Sequence, residues 1–487
     1  MQATTTPDPR RWLALALLCG AFFMVILDAA IVTVALPSIQ GDLGFSSQSL
    51  QWVVSAYALT FAGLLLLGGR AADLLGRRRV FMVGLVFFTA ASLLCGLSWS
   101  PGALIGARAF QGVGAAIMTP TALSIIMTTF QDGSERNKAL GIWGSLGGVG
   151  ATAAWLIGGP LVDGPGWQWI FFINIPVGLI ALALCPVLLP ESRGSAAVRS
   201  YDPAGAVTIT GALGLLVYAV VEAPTKGWSS VQTIVLLAVS AALFAAFVLV
   251  ETRHRAPLLP LRILRSRSLV GANSVMLFFG AVVYGMPFIL TLYTQEVLGY
   301  SPVRFGLTSI VFPIGAAIGS ISGQAIVFKL GFKPVATVGM TLMAAASFLL
   351  TQVSVGGTYF GDIFFGLLVF GPGVGFAFVT ASIAALAGVP DREAGLASGL
   401  SNTAFQIGAA LGVAIVATVS VSRTKDFLES NAHAGHLAGL THGFQSAFLA
   451  CGIIAAAGAI AALVLLDRAP AADGAAELDQ AAFALGD

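Results

Sequence analysis

Charged residues are scarce in this chain: Asp, Glu, Lys and Arg make up only 9% of its 487 residues. A soluble globular domain carries about 25% of such residues, so this inventory cannot cover an ordinary water-facing surface. Hydrophobic residues reach 57%, which also excludes an intrinsically disordered chain, because disorder requires low hydrophobicity. The composition therefore predicts an integral membrane protein.

Cysteine and lysine are also rare, and each scarcity excludes a class of site. The four cysteines are scattered through apolar stretches, which predicts buried free thiols rather than a disulfide or zinc framework: Cys19, Cys95, Cys185 and Cys451. No lysine follows a glycine, so the chain lacks the Gly-Lys-Ser/Thr loop that binds nucleotide phosphates. We therefore expect no nucleotide, no nucleic acid and no cofactor as a partner.

Histidines are the remaining residues with which the sequence could build a metal or catalytic site. His433, His436 and His442 lie in a glycine-containing segment, where solvated side chains are a simpler interpretation than a metal site. A membrane-bound transferase acting on lipids would need clustered catalytic acids or histidines at a membrane face, and the sequence offers no such cluster. We expect no bound metal and no enzymatic activity.

Apolar stretches long enough to cross a bilayer recur along the whole chain. A spanning helix needs about 20 apolar residues, and a lipid-exposed backbone must satisfy its own hydrogen bonds, so each stretch predicts a transmembrane helix. The first begins at Trp12 and has no cleavage site, which predicts a retained helix rather than a signal peptide. The fourteen predicted helices lie at residues 12–37, 50–68, 80–98, 102–127, 139–161, 169–189, 204–222, 231–250, 269–294, 303–326, 334–353, 360–387, 396–420 and 443–466.

The basic residues are distributed very unevenly between the two sides of the predicted membrane. Of the 24 lysines and arginines, 19 fall on the side that holds both termini, 4 fall on the opposite side, and Arg108 lies within a helix. Cytoplasmic loops carry the excess of basic residues, so both termini are expected in the cytoplasm. We therefore predict a multi-pass protein of a bacterial inner membrane.

An arginine-rich segment divides the predicted helices into sets of six, two and six. The fold class is accordingly an all-α integral membrane protein with two six-helix bundles and a two-helix insert. The predicted segments are a cytoplasmic N-terminus (1–11), an N-terminal bundle (12–192), the insert (193–251), a cytoplasmic linker (252–268), a C-terminal bundle (269–467) and a cytoplasmic tail (468–487).

Two charged residues lie well inside predicted helices, where each costs roughly 2.5–3.5 kcal/mol. Asp28 is in the first helix, in LDAAIVTVALP, and Arg108 is in the fourth, with Gln111 three residues later on the same helical face. Both charges fall in the outer half of the membrane, so they can share one cavity. A buried ion pair that only fixes helix packing is the alternative interpretation.

The loop after the second helix reads GGRAADLLGRRRVF and places an acid among arginines. Positive-inside charge explains the arginines but not an aspartate at a helix end. The residues predict a tight cytoplasmic turn with an acid beside arginines.

The fifth helix, GIWGSLGGVGATAAWLIGGPLVDG, is rich in small residues, which let a neighbouring helix approach closely. We predict packing and gating positions at Gly147, Gly150, Gly158, Gly159 and Pro160.

Together with GWQWIFFINIPVG before the sixth helix and GLASGLSNTAFQIGAALG in the thirteenth, these motifs resemble the major facilitator superfamily, and within it the fourteen-span drug:proton antiporter family. The chain departs from that pattern in four places, one of which is the equivalent loop of the second half, SGQAIVFKLGFKP, which lacks the acid. Leu74 stands where the gating motif usually has a basic residue, Ala151 replaces the proline of a mid-helix Gly-Pro pair, and Gln168 replaces a basic residue between two tryptophans.

The resemblance implies alternating access, in which the two bundles rock about a central cavity. Asp28 is then the candidate proton site, Arg108 and Gln111 are its coupling partners, and Asp73 with Arg77 latches the cytoplasmic ends of the bundles. The family that these motifs resemble implies a cytoplasmic gate formed by Gly69, Asp73, Gly76, Arg77 and Arg78. Protons, the lipid bilayer and small hydrophobic or cationic substrates are the expected partners. Candidate cavity-wall residues are Tyr57, Trp143, Phe279, Tyr284, Asn402 and Gln406.

The sequence therefore favours a proton-coupled exporter of hydrophobic, cationic drugs or antibiotics. Two alternatives stay open: a dedicated exporter of one endogenous metabolite, such as a natural product or siderophore, and a proton-coupled importer.

Overall fold

The structure is a computed structural model, which describes residues 10–130, 134–192, 202–254, 257, 259, 262, 263, 266–389, 391–431 and 433–467. Fourteen helices in these ranges are long and apolar enough to cross a membrane, as predicted from the sequence. They are α1 (Arg11–Leu43), α2 (Trp52–Leu75), α3 (Arg77–Gly96), α4 (Pro101–Thr129), α5 (Lys138–Asp163), α6 (Trp169–Leu188), α7 (Pro203–Ala223), α8 (Val231–Arg253), α9 (Arg267–Val297), α10 (Pro302–Leu330), α11 (Phe332–Leu350), α12 (Tyr359–Leu386), α13 (Gly395–Ser430) and α14 (His436–Leu465).

Several helices extend beyond the apolar stretches that predicted them. The first was predicted to end at residue 37, yet α1 continues through Pro37 to Leu43. Gly44, whose φ is 70°, caps its end. A proline removes one backbone hydrogen bond, which a long helix tolerates. The predicted stretch 396–420 likewise becomes α13, which ends only at Ser430. Hydropathy reports the part of a helix that lies in lipid, whereas the helix itself continues into the polar region.

The helices pack as two six-helix bundles with an inserted pair. Helices α1 to α6 form the first bundle, in which α4 packs against α2 and α3, and α1 against α5. Helices α9 to α14 form the second, in which α9 packs against α13 and α12 against α10 and α11. The exact residue boundaries of the six predicted segments remain predictions.

The inserted helices α7 and α8 pack on each other, and α7 also covers one seam between the bundles. On the first bundle, the Thr210 side chain lies where a Cβ of Gly63 in α2 would stand. On the second, Leu213 and Val217 of α7 share a hydrophobic cluster with Ala410 of α13. The insert therefore shields this seam from the surrounding lipid.

The bundles interlock at one membrane face. We call the face at which the described chain begins and ends the terminus face, and the opposite one the far face. Near the far face, Gly159 of α5 packs directly on the backbone of Val303 in α10. The Asp163 Oδ2 atom accepts a hydrogen bond from the Val303 backbone N–H at 3.1 Å. The Gln295 amide nitrogen donates to the Val34 carbonyl at 3.0 Å, which joins α9 to α1.

Helix α5 contacts the second bundle near its far-face end. The Trp155 ring packs on Phe305 and Phe312 of α10, with ring centroids 5.2 and 5.3 Å away. Gly144 lies three turns closer to the terminus face on the same side of α5. A Cβ added there would meet no atom within 4 Å. The described contacts between α5 and α10 therefore lie near the far face.

Candidate functional site

The charged residues predicted from the sequence meet inside the first bundle. Asp28 comes from α1, whereas Arg108 and Gln111 lie one turn apart on α4 and reach it together. The Arg108 Nη1 atom donates to Asp28 Oδ2 at 2.6 Å and to Gln111 Oε1 at 2.6 Å. The Gln111 Nε2 atom donates to Asp28 Oδ1 at 2.8 Å. Asp28 thus forms one closed hydrogen-bonded unit with two residues that lie about 80 positions later in the sequence.

Two further polar residues complete this unit, and sequence reasoning missed both. The Asn174 amide nitrogen, from α6, donates to Asp28 Oδ1 at 2.9 Å and to Ser92 Oγ at 3.3 Å. The Ser92 hydroxyl of α3 also accepts from Gln111 Nε2 at 2.8 Å. Asn174 lies within the GWQWIFFINIPVG motif, so a polar residue in that apolar run was a usable signal. A serine in a membrane helix carries no such signal, because its hydroxyl usually bonds to its own helix.

Arg108 is held by contacts beyond its ionic partner. Its Nε atom donates to the Val53 carbonyl at 2.9 Å, which links α4 to α2. Its guanidinium carbon lies 4.4 Å from the centre of the Tyr57 ring and 5.7 Å from that of Phe171. These distances permit cation–π attraction, which strengthens when water is excluded. The cation is therefore fixed on several sides.

Burial makes this network both costly and specific. Asp28, Arg108 and Gln111 have no exposed surface. A buried ion pair recovers its desolvation cost only when the remaining lone pairs and protons are also satisfied, and here the Asp28 carboxylate accepts three hydrogen bonds. The arrangement suits a charged Asp28, and in this conformation neither charge contacts solvent.

The predicted gate lies at the terminus-face end of α2 and α3. The Arg77 Nη2 atom donates to Asp73 Oδ1 at 2.9 Å. Gly76, with a φ of 110°, forms the turn, and the Glu191 carboxylate occupies the space where its Cβ would stand. Gly69 faces the Pro120 ring of α4, 3.5 Å from an added Cβ.

Glu191, beyond the end of α6, is the residue of this gate that sequence reasoning missed. Its Oε1 atom accepts from the Arg78 backbone N–H at 3.1 Å. Its Oε2 atom lies 3.8 Å from Arg78 Nε and 3.6 Å from Arg79 Nε. The described contacts of the gate stay within the first bundle, so a latch between the two bundles remains a prediction. No spacing rule connects Glu191 with a loop more than 110 residues earlier.

Helix α5 divides the predicted glycines by what they face. Gly150 and Gly158 pack against α1, where an added Cβ would lie 2.7 Å from Ile26 and 2.9 Å from Ile31. Gly159 packs against α10, as described above. Pro160 lies within the helix, which continues to Asp163. Gly147 faces open space, and an added Cβ there would meet no atom within 4 Å.

The candidate wall residues of the first bundle lie in two places. Tyr57 is buried against Arg108, and among the described residues its hydroxyl has no hydrogen-bond partner. Trp143 stacks on Phe22, with ring centroids 4.0 Å apart. Only Tyr57 therefore touches the ionic network directly.

The candidate wall residues of the second bundle cluster around Phe405. Its ring centroid lies 5.7 Å from that of Phe279 and 5.8 Å from that of Tyr284. Tyr284 also packs against the hydrophobic clusters of the first bundle and of the insert, so it lies where these units meet. Gln406 is buried and its Oε1 atom has no partner in the described chain, whereas Asn402 is exposed.

The described residues also bear on the predicted thiols and on metal binding. All four cysteines are free and buried, as predicted. Within the described ranges, no group of three or more His, Cys, Asp or Glu side chains could hold a metal ion.

Comparison with known proteins gives a consistent picture. The puromycin resistance protein pur8 of Streptomyces alboniger is 39% identical over 473 residues, which cover 96% of this chain and 94% of that protein. The cephamycin export protein CmcT of Amycolatopsis lactamdurans is 39% identical over 418 residues, which cover 84% of this chain and 85% of that protein.

Fold and family comparisons agree with these relatives. A bacterial homologue of the human lysosomal transporter Spinster, solved in an inward-facing and unoccupied conformation, has a TM-score of 0.65 at 18% identity, covering 96% of this chain and 100% of that one. Residues 18–413 match the family model described as Major Facilitator Superfamily. This chain therefore belongs to the major facilitator superfamily of membrane transporters.

Proposed function

We propose that this transporter exports small hydrophobic, cationic drugs or antibiotics in exchange for protons, by alternating access across a bacterial inner membrane. The observation that carries the proposal is the buried network around Asp28, because an ionisable group inside a membrane is expensive and generally functional. The relatives support export, since one is named for resistance and the other for export of an antibiotic.

The network supplies a physical link between proton binding and conformation. Protonation of Asp28 removes the negative charge that balances Arg108, and a buried arginine without its counter-ion costs about 3–5 kcal/mol. A protonated Asp28 and a fully buried Arg108 are therefore poorly compatible in this packing. Proton uptake favours separation of α1 and α4 or entry of water to Arg108, and proton release favours the closed network.

A cationic substrate acts on the same charge balance. Its positive charge competes with the proton and with Arg108 for the Asp28 carboxylate, which makes the two fluxes opposite in direction. Aromatic side chains around Phe405 offer apolar surface with few hydrogen-bonding groups, which suits hydrophobic substrates of varied shape. One proton that moves down about 100 mV releases about 2.3 kcal/mol, which suffices to drive export.

The basic-residue bias assigns the terminus face to the cytoplasm. The contacts that join α5 to α10 then lie on the outer side, and an exporter loads its substrate from the cytoplasmic side. In this conformation the gate arginines are held by Asp73 and Glu191 inside the first bundle. Closure at the terminus face would exchange some of these contacts for contacts between bundles. The close packing of α5 on α1 at Gly150 and Gly158 ties movement of α5 to the helix that carries Asp28.

Inverted membrane vesicles with an acidic interior test the direction of transport. We expect them to accumulate ethidium, a fluorescent hydrophobic cation, and to lose it when the pH gradient is collapsed. Vesicles from cells that lack this chain provide the control. Accumulation that requires the opposite gradient would indicate an importer, and the absence of gradient-dependent movement of any compound in a broad panel would contradict proton exchange.

A dedicated exporter of one natural product is the second candidate, because pur8 and CmcT are each named for a single antibiotic. Growth of an efflux-deficient bacterium that expresses this chain, tested against a panel of toxic compounds, separates the two candidates. Protection against several unrelated cations supports a multidrug exporter, whereas protection against one chemical scaffold supports the dedicated exporter.

A further inference from the structure

A cavity of about 580 Å³ lies at the far face, away from the Asp28 network. It is formed where the ends of α1, α9 and α13 meet the beginning of α14. Its volume falls in the range of about 300–1,000 Å³ that is typical of small-molecule sites. Most of its wall is apolar, with aromatic rings from Phe288 and Phe444 and aliphatic side chains from Leu292, Leu428 and Leu440. The cavity could therefore enclose an aromatic molecule of drug size.

Two carboxylates line this apolar cavity, and only one of them, Glu429, is paired with a lysine. Glu296 lies in the π-helical turn Tyr293–Val297 that ends α9, and it is partly buried. Among the described residues, no side chain or backbone group forms a hydrogen bond or an ion pair with its carboxylate. An acid enclosed by apolar side chains is costly without a counter-charge. The geometry thus leaves the carboxylate available to a cation that enters the cavity.

The turn that carries Glu296 is anchored on both sides, which fixes the position of the carboxylate. The Tyr293 hydroxyl donates to the Ser354 carbonyl at 2.8 Å, within the second bundle. Gln295 bonds to the Val34 carbonyl of α1, within the first bundle. Glu296 therefore sits on the seam between the two bundles. Relative movement of the bundles must alter the cavity around it.

The only lysine in the cavity wall already has a partner of opposite charge. Lys425 Nζ lies 3.7 Å from Glu429 Oε1, and both side chains are largely exposed. The cavity wall has two carboxylates, Glu296 and Glu429, and one lysine, Lys425. The described ion pairs join Lys425 to Glu429 and none joins it to Glu296.

We propose that this far-face cavity is a second binding site, which takes lipophilic aromatic cations and uses Glu296 as their counter-ion. This proposal takes from the proposed function only the class of substrate, hydrophobic cations. The aromatic wall contacts the apolar body of such a cation, and the carboxylate balances its charge. A neutral molecule of the same shape gains only the contact with the aromatic wall. The cavity shares no lining residue with the Asp28 network, so it can hold a cation separately from the Asp28 site.

Equilibrium binding of radiolabelled tetraphenylphosphonium to the purified chain in lipid nanodiscs tests this site. Wild-type protein is expected to bind two cations per chain. Glu296→Gln should raise the Kd of one of the two sites about tenfold, which corresponds to a loss of about 1.4 kcal/mol in binding free energy. Asp426→Asn is the matched control, because Asp426 is an exposed acid near the same end of α13 and does not line the cavity. It should leave both sites unchanged.

Two further variants keep the outcomes distinct. Ala417→Phe fills the cavity and leaves Glu296 in place, so it should remove the same site even if Glu296→Gln impairs folding. Asp28→Asn should weaken only the other site. An unaffected second site in both Glu296→Gln and Ala417→Phe would overturn the far-face proposal, as would equal affinity there for neutral triphenylphosphine oxide. If Asp28→Asn left both sites unchanged while the far-face variants behaved as expected, the result would instead count against the proposed function.

Discussion

The two bundles have similar architecture but stabilise their interiors in different ways. The first contains a fully buried ion pair, Asp28 with Arg108, inside a network of neutral hydrogen-bonding groups. In the described part of the second bundle, the ion pair between Lys425 and Glu429 is exposed. The buried ion pair among the described residues therefore lies in the first bundle, whereas the second bundle carries the unpaired carboxylate of Glu296.

The turns that follow the second helix of each bundle differ in the same way. Both pass through a glycine with positive φ, Gly76 at 110° and Gly331 at 85°. The first turn carries Asp73 and is clamped by Glu191, whereas the second, SGQAIVFKLGFKP, contains lysines and no acid. The shared glycine preserves the backbone turn, and only the first turn has the charges for a switchable contact.

Close backbone packing occurs in both bundles, and in the second it is found without a buried ion pair among the described residues. A Cβ added to Gly408 of α13 would overlap the Leu277 carbonyl of α9, and one added to Gly280 would overlap the Phe405 carbonyl. Small residues allow such approach between membrane helices, where van der Waals contact is a main source of association. The first bundle thus holds the buried ion pair, and both bundles contain close contacts at small residues.

The largest expected effect comes from breaking the ion pair. Arg108→Gln leaves Asp28 buried without its counter-charge, and we expect a loss of about 3–5 kcal/mol in stability. Thermal unfolding of the purified protein measures this loss. The double variant Asp28→Asn/Arg108→Gln replaces the pair with neutral amides and should recover most of it. A double variant as unstable as Arg108→Gln would contradict a charge-based explanation.

Disrupting the second bundle requires bulk rather than a change of charge. Gly408→Val should cost about 1–3 kcal/mol, because the new side chain must displace the α9 backbone. Gly395→Val on the same helix is the control, since an added Cβ there would meet nothing within 4 Å. Thermal unfolding of both variants checks the difference. Equal stability of the two would refute the role of close packing at Gly408.

Neutralising the gate should affect the rate more than binding. Glu191→Gln keeps an acceptor for the Arg78 backbone N–H but loses the charge beside Arg78 and Arg79. We expect a severalfold lower maximal transport rate with little change in half-saturating substrate concentration, because the gate lies away from the candidate substrate site. Asp73→Asn should act in the same way. Transport kinetics in proteoliposomes measure both quantities, and a change confined to affinity would contradict a gating role.

The smallest effect is expected at Gly147, which faces open space on α5. Gly147→Ala should change stability by no more than about 0.5 kcal/mol, as for a substitution without new contacts. Gly150→Ala should be more destabilising, since its Cβ would lie 2.7 Å from Ile26. Thermal unfolding compares the two. A larger loss at Gly147 than at Gly150 would contradict the described packing of α5 on α1.

Sequence reasoning reached the fold because hydropathy and charge bias act locally along the chain. It reached Asp28 and Arg108 because charged residues stand out in apolar helices. It missed Asn174 and Ser92, since neutral polar residues are common in membrane helices and only packing reveals their partners. Glu191 was missed for a related reason: its contact with Arg78 depends on how α6 returns beside α3.

The side that a small residue faces was equally hidden from the sequence. Gly147 and Gly150 belong to one glycine-rich motif, yet one faces open space and the other packs on α1. Three residues separate them, which is nearly a full turn, and the local curvature and tilt of α5 decide which position meets a neighbour. A motif therefore predicts that helices approach closely, but not which glycine makes the contact.

Cation accumulation in proteoliposomes at a series of imposed pH gradients tests the central claim that the buried pair couples protons to transport. The comparison is between wild-type protein and the folded double variant Asp28→Asn/Arg108→Gln. Wild-type protein should accumulate ethidium in proportion to the gradient, whereas the double variant should stay at the passive level at every gradient. Accumulation by the double variant that still follows the pH gradient would contradict the proposed coupling.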